Sequence, residues 1–149
     1  MSGDLPFGVP ARVPGGAWVY RAREPAPPTV RKYEEDSLQR DVCQFLAVAL
    51  PTGSMYFAIP NGGKRHAREA ARMKGLGLRA GVPDLEVIHR GRALFIELKA
   101  KRGVMSAAQR DMLRLLGFCG CPVLLCRSVP EVEAALLAAG VPLRATVSA

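Results

Sequence analysis

The sequence has no long apolar run and no apolar block near its first residue. No stretch approaches the roughly 18 consecutive apolar residues that cross a bilayer, although 49% of the 149 residues are hydrophobic. Residues 1–16 contain prolines, glycines and an acid, where a secretory signal peptide would have a continuous apolar segment. The chain is therefore expected to be cytoplasmic, with no membrane partner, and about one domain long.

Cysteine is scarce, and its spacing does not suit a zinc site. The four cysteines include Cys119 and Cys121, which are separated by a single residue and have no second Cys or His pair nearby. Paired ligands of structural zinc usually have about two to four residues between them. Free thiols are therefore expected. The glycines match neither a Walker loop nor a dinucleotide-binding fingerprint, which excludes nucleotide sites of those kinds.

Acidic residues are fewer than basic ones. The 13 Asp and Glu residues and the 21 Lys and Arg residues give a net charge of +8 and a pI of about 9.9. This excess favours a polyanionic partner, because lysine and arginine release counterions when they neutralise phosphates. By itself the charge fits either a nucleic-acid-binding protein or a merely basic soluble one.

The chain divides into an N-terminal arm and one domain. Residues 1–32 are rich in proline and predict an irregular arm. Residues 33–149 carry the regular hydrophobic patterns of a single domain. Their order predicts an α/β fold with a mixed sheet flanked by helices. The helices are predicted at 34–50, 64–74, 106–117 and 128–139, and the strands at 54–59, 84–89, 92–99 and 122–127.

Three features predict where helices begin and end. Ser106 with Gln109, and Ser128 with Glu131, have the spacing of capping boxes. Gly117 suits a left-handed helix end.

The turn between two strands brings two carboxylates together. If Arg90 and Gly91 form a two-residue hairpin loop, the register that follows puts Asp84 directly opposite Glu97. Lys99 lies two residues beyond Glu97 and therefore projects from the same face. Like charges in opposed positions destabilise a sheet, and a divalent cation such as Mg²⁺ removes the conflict, because it takes oxygen ligands and keeps several waters.

Such a site is suited to hydrolysis of a phosphodiester. A metal-bound water can serve as nucleophile, and Lys99 could orient it or stabilise the developing charge. The alternative is a surface hairpin with a solvated Glu97–Lys99 pair. The apolar residues on both faces of strand 92–99 favour a central strand and therefore a functional site.

Two further polar side chains point inward along helices. Glu35 lies in the apolar stripe of helix 34–50, where it either caps the helix start or reaches into the site. Gln109 shares a face with Met112, Leu113 and Leu116. It either serves only as the capping partner of Ser106 or also contributes to the site.

The helix predicted at 64–74 is the expected DNA contact. Its basic residues recur at helical spacing, which suits phosphates more than base edges. A solvated basic face is the alternative. The two histidines, His66 and His89, are expected at the surface. The basic residues of this segment are Lys64, Arg65, Arg68, Arg72, Lys74 and Arg79.

Four segments together resemble a known family. Residues 81–84 (Gly-Val-Pro-Asp), 97–99 (Glu-Leu-Lys) and 106–109 (Ser-Ala-Ala-Gln), with the Pro-Asn-Gly-Gly segment at 60–63, resemble the VRR-NUC domain of the PD-(D/E)xK nuclease superfamily. The resemblance covers about residues 34–139. The Pro-Asp and Glu-x-Lys motifs alone are moderately specific, but the four segments together are a specific signature of the family.

The resemblance implies a fold, a ligand set and an activity. The implied core is restriction-endonuclease-like, in the order αβββαβ. The implied metal ligands are Asp84, Glu97 and the backbone carbonyl of Leu98, with Mg²⁺ as the ion and Mn²⁺ able to substitute. Lys99, Glu35 and Gln109 become the implied catalytic residues. Members of the family include structure-selective nucleases, and small stand-alone members are similar to resolvases of four-way (Holliday) junctions.

Three functions compete at this point. The favoured one is a metal-dependent endonuclease that cuts branched or flapped DNA, and cutting a four-way junction symmetrically would require a homodimer. A non-catalytic DNA-binding module on the same fold is the alternative, against which the intact Asp84, Glu97 and Lys99 argue. A protein-interaction module leaves the basic charge unexplained.

Overall fold

The predicted order of helices and strands is confirmed. The structure is a computed structural model that describes residues 11–12, 18–19, 28–60 and 66–147. Two short strands, β1 (Ala11–Arg12) and β2 (Trp18–Val19), pair with each other in antiparallel fashion. The elements that follow are α1 (Pro28–Ala49), β3 (Ser54–Ala58), α2 (Ala67–Gly75), β4 (Leu85–His89), β5 (Arg92–Leu98), α3 (Ala107–Phe118), β6 (Val123–Cys126) and α4 (Val129–Ala138).

The central sheet is mixed, as predicted. Its strand order is β3-β4-β5-β6. The first three strands are antiparallel neighbours, and β6 runs parallel to β5. The crossover from β5 to β6 contains α3, since parallel neighbours need a long connection. With α1 in front, the core order is αβββαβ.

Helices cover the sheet on both faces. The larger apolar cluster joins α1 and α4 to one face, through residues such as Leu46, Leu85, Ile96 and Leu136. The smaller cluster joins α3 to the other face through Leu113, with Val123 and Leu125 of β6. Both faces of β5 and β6 are therefore buried, which explains why their sequences are apolar almost throughout.

The hairpin between β4 and β5 has the predicted two-residue loop. Arg90 and Gly91 both have positive φ, at 47° and 77°, which is the type I′ geometry that matches the twist of the flanking strands. His89 consequently pairs with Arg92, and Leu85 pairs with Ile96. The register from which the carboxylate pair was predicted is confirmed.

The first capping box is present in full, and the second differs from the prediction. Ser106 caps α3 reciprocally with Gln109. Ser128 accepts a hydrogen bond from the amide of Glu131, as predicted. The Glu131 carboxylate, however, accepts from the amide of Arg127, one residue before the cap.

Three predicted helix boundaries are wrong, and one of them is the start of α2, which lies at Ala67 and not at residue 64. Helix α1 begins at Pro28, about six residues earlier than predicted, because proline suits the first turn of a helix, where its missing N–H costs nothing. Helix α3 continues through Gly117 to Phe118, and the glycine with positive φ after it is Gly120. Residues 28–32 of the predicted arm therefore belong to α1, and the remainder of the arm, apart from β1 and β2, lies outside the described residues.

Among the residues that the structure describes, no helix combines the length and the apolar composition that crossing a membrane requires.

Candidate active site

The carboxylates of Asp84 and Glu97 meet at one end of the sheet. Asp84 immediately precedes β4, and continuing the ladder by one pair beyond Leu85 and Ile96 puts it opposite Glu97. The Oδ2 atom of Asp84 accepts a hydrogen bond of 2.8 Å from the amide of Leu98. This bond fixes Asp84 against the last residue of β5, so that the two acids share one face of the sheet.

Glu97 is buried, and its two oxygens have different surroundings. The residue is 1% exposed. Its Oε1 lies 2.7 Å from Nζ of Lys99 and accepts a 2.5 Å hydrogen bond from Nε2 of Gln109. Its Oε2 is buried and has no hydrogen-bond partner. A buried acceptor left without a partner costs free energy, so this oxygen is suited to a cation ligand.

Burial is the largest cause that raises the pKa values of both acids. Burial, and then the nearby charge of Asp84, raise the pKa of Glu97 to about 7, although Lys99 opposes the rise. Burial also raises the pKa of Asp84, against the opposing effects of the Leu98 amide and Lys99. The site therefore favours an added positive charge, because each acid is hard to ionise without one.

Lys99 remains a cation in spite of its burial. The residue is 6% exposed, and burial by itself would lower its pKa. The charge and hydrogen bond of Glu97, followed by the charges of Glu35 and Asp84, outweigh that effect and raise the pKa of Lys99. The site thus holds one fixed ammonium group beside its carboxylates.

Glu35 reaches the site and does not cap α1. The helix begins seven residues earlier, at Pro28. The Oε1 atom of Glu35 accepts a hydrogen bond of 3.2 Å from the amide of Ala100 and lies 3.9 Å from Nζ of Lys99. Of the two interpretations left open by the sequence, the structure favours the one in which Glu35 faces the site.

Gln109 is both the capping partner of Ser106 and a hydrogen-bond partner of Glu97. Its Oε1 accepts from the amide of Ser106 at 2.9 Å, which closes the capping box. Its Nε2 donates to Glu97. The two ends of one amide thereby connect the start of α3 to the buried carboxylate.

The donor set suits a hard cation with few protein ligands. Asp84 and Glu97 offer carboxylate oxygens, and the unpartnered Oε2 of Glu97 is the observation that fits a metal. Across the described ranges, no three His, Cys, Asp or Glu side chains converge as a complete metal site. Mg²⁺ needs no such set, since it is commonly held by one or two carboxylates with water and substrate oxygens.

The expected DNA-binding residues are solvent-exposed wherever they are described. Helix α2 has no buried residue, and Arg68, Arg72, Lys74 and Arg79 are all exposed. Lys64 and Arg65 lie outside the described residues. His66 is exposed, as predicted.

The prediction that His89 lies at the surface is wrong. It is 5% exposed, and its Nδ1 is 2.7 Å from Oγ of Ser54. It faces the core because it continues the alternation of Leu85 and Val87 along β4, and the hydroxyl of Ser54 satisfies one of its ring nitrogens. It lies at the hairpin end of the sheet, away from the carboxylates.

Sequence reasoning missed Arg127 as a residue near this site. Its Nη1 donates to the backbone carbonyl of Ala100, the residue after Lys99. The register of β6 on β5 could have indicated it, because Cys126 pairs with Leu98 and Arg127 comes next. That register is not available from sequence alone.

Comparison with known proteins identifies a family for this chain. The model of the VRR-NUC domain family matches residues 29–130. A solved structure described as a VRR_NUC domain protein superposes with a TM-score of 0.51 and 20% identity, covering 69% of this chain and 84% of that one. Another, described as a VRR_NUC domain, gives a TM-score of 0.48 and 22% identity, covering 70% and 95%. No functionally curated protein matches the chain.

The mixed sheet and the family match define a domain of the nuclease class, which acts on nucleic acid. Within that class, the chain belongs to the VRR-NUC domain family.

Proposed function

We propose that this domain is a metal-dependent endonuclease that hydrolyses phosphodiester bonds of DNA, with a preference for branched structures such as four-way junctions or flaps. The observation that carries the proposal is the asymmetry of Glu97. One of its oxygens is held by Lys99 and Gln109, and the other is buried and unpartnered beside a second carboxylate. A purely structural carboxylate would be expected to have partners for both oxygens.

The residues that would hold the ion are Asp84, Glu97 and the backbone carbonyl of Leu98. Mg²⁺ fits this oxygen donor set, and Mn²⁺ would be accepted in its place. The chemistry that such an ion supplies when bound is polarisation of a phosphoryl oxygen and activation of a water.

The protein's own groups prepare the site for a phosphate. Gln109 and Lys99 both contact Oε1 of Glu97, so its carboxylate plane is held in one orientation and Oε2 is presented to the site. The ammonium group of Lys99 has a raised pKa and is therefore charged at neutral pH. A fixed cation in a buried site stabilises the negative charge that develops on the phosphate oxygens during cleavage.

Helix α2 is the proposed contact to the DNA backbone. Its first turn contains one acid, Glu69, and its last turn contains Arg72 and Lys74. No residue of α2 is buried, so its arginines are free to meet phosphates without disturbing the core. Contacts of this kind fix the register of the substrate and read little sequence.

A cleavage panel tests the proposal. End-labelled single-stranded, duplex, flap and four-way junction DNA would be incubated with Mg²⁺, with Mn²⁺ and with EDTA. We expect cleavage with either metal, none with EDTA, and the highest rate on a branched substrate. DNA binding without cleavage of any substrate would favour the non-catalytic module. Symmetric cutting of the four-way junction would predict a homodimer, which light scattering would detect.

A further inference from the structure

Three hydrogen bonds hold the backbone amide and carbonyl of Ala100, the residue after Lys99. The amide of Ala100 donates to Oε1 of Glu35 on α1, at 3.2 Å. Its carbonyl accepts from Nη1 of Arg127 and from the amide of Gly103, at 2.8 Å. The side chains of Glu35 and Arg127 thus both hold the segment that follows β5.

Arg127 is itself held firmly by the start of α4. Its amide donates to Oε2 of Glu131 at 2.9 Å, and the amide of Glu131 donates to the capping hydroxyl of Ser128 at 3.3 Å. The Nε atom of Arg127 is buried. The guanidinium group therefore approaches Ala100 from a backbone that the first turn of α4 keeps in place.

Lys99 lies at the point where the ladder between β5 and β6 ends. The amide of Lys99 donates to the carbonyl of Cys126, at 3.0 Å. The amide of the next residue, Ala100, turns to Glu35. Strand ends open more easily than strand centres, so the position of Lys99 depends on what holds Ala100.

The space around this segment is also tight. A Cβ atom added to Gly103 would lie 3.0 Å from Oε1 of Glu35 and 3.2 Å from the amide nitrogen of Ala100. The turn from Ala100 to Gly103 is therefore packed directly against the carboxylate that accepts the Ala100 amide. A shift of the Ala100 peptide would therefore displace both the turn from Ala100 to Gly103 and the carboxylate of Glu35.

We propose that Arg127 is a positioning residue for Lys99. By holding the Ala100 carbonyl, it keeps the end of β5 in the place that puts Nζ of Lys99 beside Glu97. The inference rests on the proposed nuclease function, but it concerns a residue that contacts neither the substrate nor a metal ligand in that proposal. Displacement of a catalytic group by about 1 Å is enough to cost about a hundredfold in rate.

The test compares Arg127→Ala and Arg127→Lys with the wild type on the substrate that the panel prefers. Without the guanidinium group we expect kcat to fall by about 10–100-fold, while KM for DNA and the affinity for Mg²⁺ stay within about twofold. Arg127→Lys retains one donor and should recover part of the loss. Millimolar guanidinium should raise kcat of Arg127→Ala, because it can replace the missing donor. Hydrogen exchange of a peptide covering residues 98–104 should be faster in Arg127→Ala.

Arg110→Ala is the matched control. The Nη1 atom of Arg110 also donates to a backbone carbonyl, that of Met105, at 2.7 Å, but Arg110 does not contact Ala100. It should lose the same charge without the change in exchange at 98–104 and without rescue by guanidinium. Circular dichroism would check that every variant is folded. If Arg127→Ala is unfolded, the test is made with Arg127→Lys.

Three results would overturn the inference. The first is an unchanged kcat in folded Arg127 variants. The second is a raised KM with a flatter salt dependence, which would make Arg127 a direct phosphate contact. The third is a loss of kcat with unchanged exchange at 98–104. A wild-type protein that cleaves no substrate would instead refute the proposed function, and the exchange data would still show whether Arg127 holds the segment.

Discussion

At the scale of single residues, Glu97 combines deep burial with a negative charge that has only partial compensation. Burial comes first among the causes that raise its pKa from 4.5 to about 7, and the charge of Asp84 comes second. Lys99 opposes both. Without a metal, therefore, ionising Glu97 costs more in the folded protein than in the unfolded chain.

This difference predicts how the stability of the metal-free protein depends on pH. The pKa of Glu97 is raised in the folded state, so its contribution to stability is fully present below about pH 4.5 and is lost as the pH rises through about 7. At about 1.4 kcal/mol per pH unit, the whole loss is about 3 kcal/mol. Glu97→Gln has no carboxyl group to ionise at this position and therefore does not lose this stability. The stability of the variant relative to the wild type should consequently rise between pH 5 and 8.

Urea unfolding in EDTA at several pH values measures this effect. The pH dependence of the unfolding free energy is compared, and not its value at a single pH. The reason is that Glu97→Gln also changes the contact with Lys99 at every pH. Glu69→Gln, on the exposed helix α2, controls for the loss of one carboxylate. Parallel profiles for the wild type and Glu97→Gln would contradict the raised pKa.

Lys99 is predicted to act in chemistry and not in metal binding. As a cation it cannot be a ligand to Mg²⁺. We expect Lys99→Ala, and the better-packed Lys99→Met, to bind Mg²⁺ at pH 8 while the cleavage rate falls by about 100-fold or more. Calorimetry would measure the binding, and single-turnover cleavage at saturating Mg²⁺ would measure the rate. Lost metal affinity, with a normal rate once the metal is saturating, would reverse the assignment.

At the scale of elements, the segment before β4 is packed against the start of α3. Gly81 has a φ of +78°, and a Cβ atom there would lie 2.3 Å from the backbone oxygen of Ala108. No side chain fits at that distance unless the backbone moves. This close approach sets the distance between the segment that carries Asp84 and the helix that carries Gln109.

Gly81→Ala should therefore damage both stability and activity. The strained φ and the overpacking together should cost about 2–4 kcal/mol, and the shift of α3 should weaken the Gln109 contact to Glu97. Gly77→Ala is a matched control, because Gly77 also has a positive φ, +96°, but has nothing within 4 Å of an added Cβ atom. The loss of stability in Gly77→Ala should therefore show the effect of the positive φ alone. Equal losses of stability and rate in the two variants would mean that the close approach is unimportant.

Helix α2 is predicted to dominate the electrostatic part of DNA binding. Each phosphate contact adds about 0.9 to the slope of log affinity against log salt. Replacing Arg68 and Arg72 of α2 with Ala, together with Arg65 shortly before it in the sequence, should flatten that slope, weaken all sequences alike and change the rate on bound substrate much less. The control replaces three exposed arginines outside α2: Arg92, Arg114 and Arg144. An unchanged slope in this triple variant would indicate that the basic face of α2 is solvated and does not contact phosphates.

The hairpin shows how far local sequence determines the site. Once Arg90 and Gly91 were taken as a two-residue turn, the opposition of Asp84 and Glu97 followed from counting residues, whereas a three-residue loop would have shifted the register by one. Helix phase likewise indicated that Glu35 and Gln109 point inward. What they contact could not be predicted, since Glu35 reaches Ala100, 65 residues away, and such distances depend on how helices pack.

The errors have the same physical origin. His89 was expected at the surface on the basis of its residue type, whereas the alternation of β4 and the hydroxyl of Ser54 decide its burial. Arg127 was missed because its partner, the carbonyl of Ala100, lies just after β5, and α3 separates β5 from Arg127 in the sequence. Contacts across a parallel crossover have no local signal.

At the scale of the whole molecule, the fold gathers the site at one end of the sheet. Asp84 immediately precedes β4 and Glu97 belongs to β5, while Gln109 comes from α3 and Glu35 from α1, and Arg127 follows β6. Every layer of the αβββαβ core thus contributes at least one group. A site assembled in this way is rigid only when the entire domain is folded, which suits preorganised electrostatic catalysis.

The most direct test of the central claim is single-turnover cleavage by Asp84→Asn and Glu97→Gln, measured together with DNA affinity. The account predicts that both variants lose cleavage with Mg²⁺ on every substrate of the panel, because each loses a proposed metal ligand. Their affinity for DNA should remain close to that of the wild type, because the proposed phosphate contacts lie on α2. Near-normal turnover with Mg²⁺ in either variant would contradict the account.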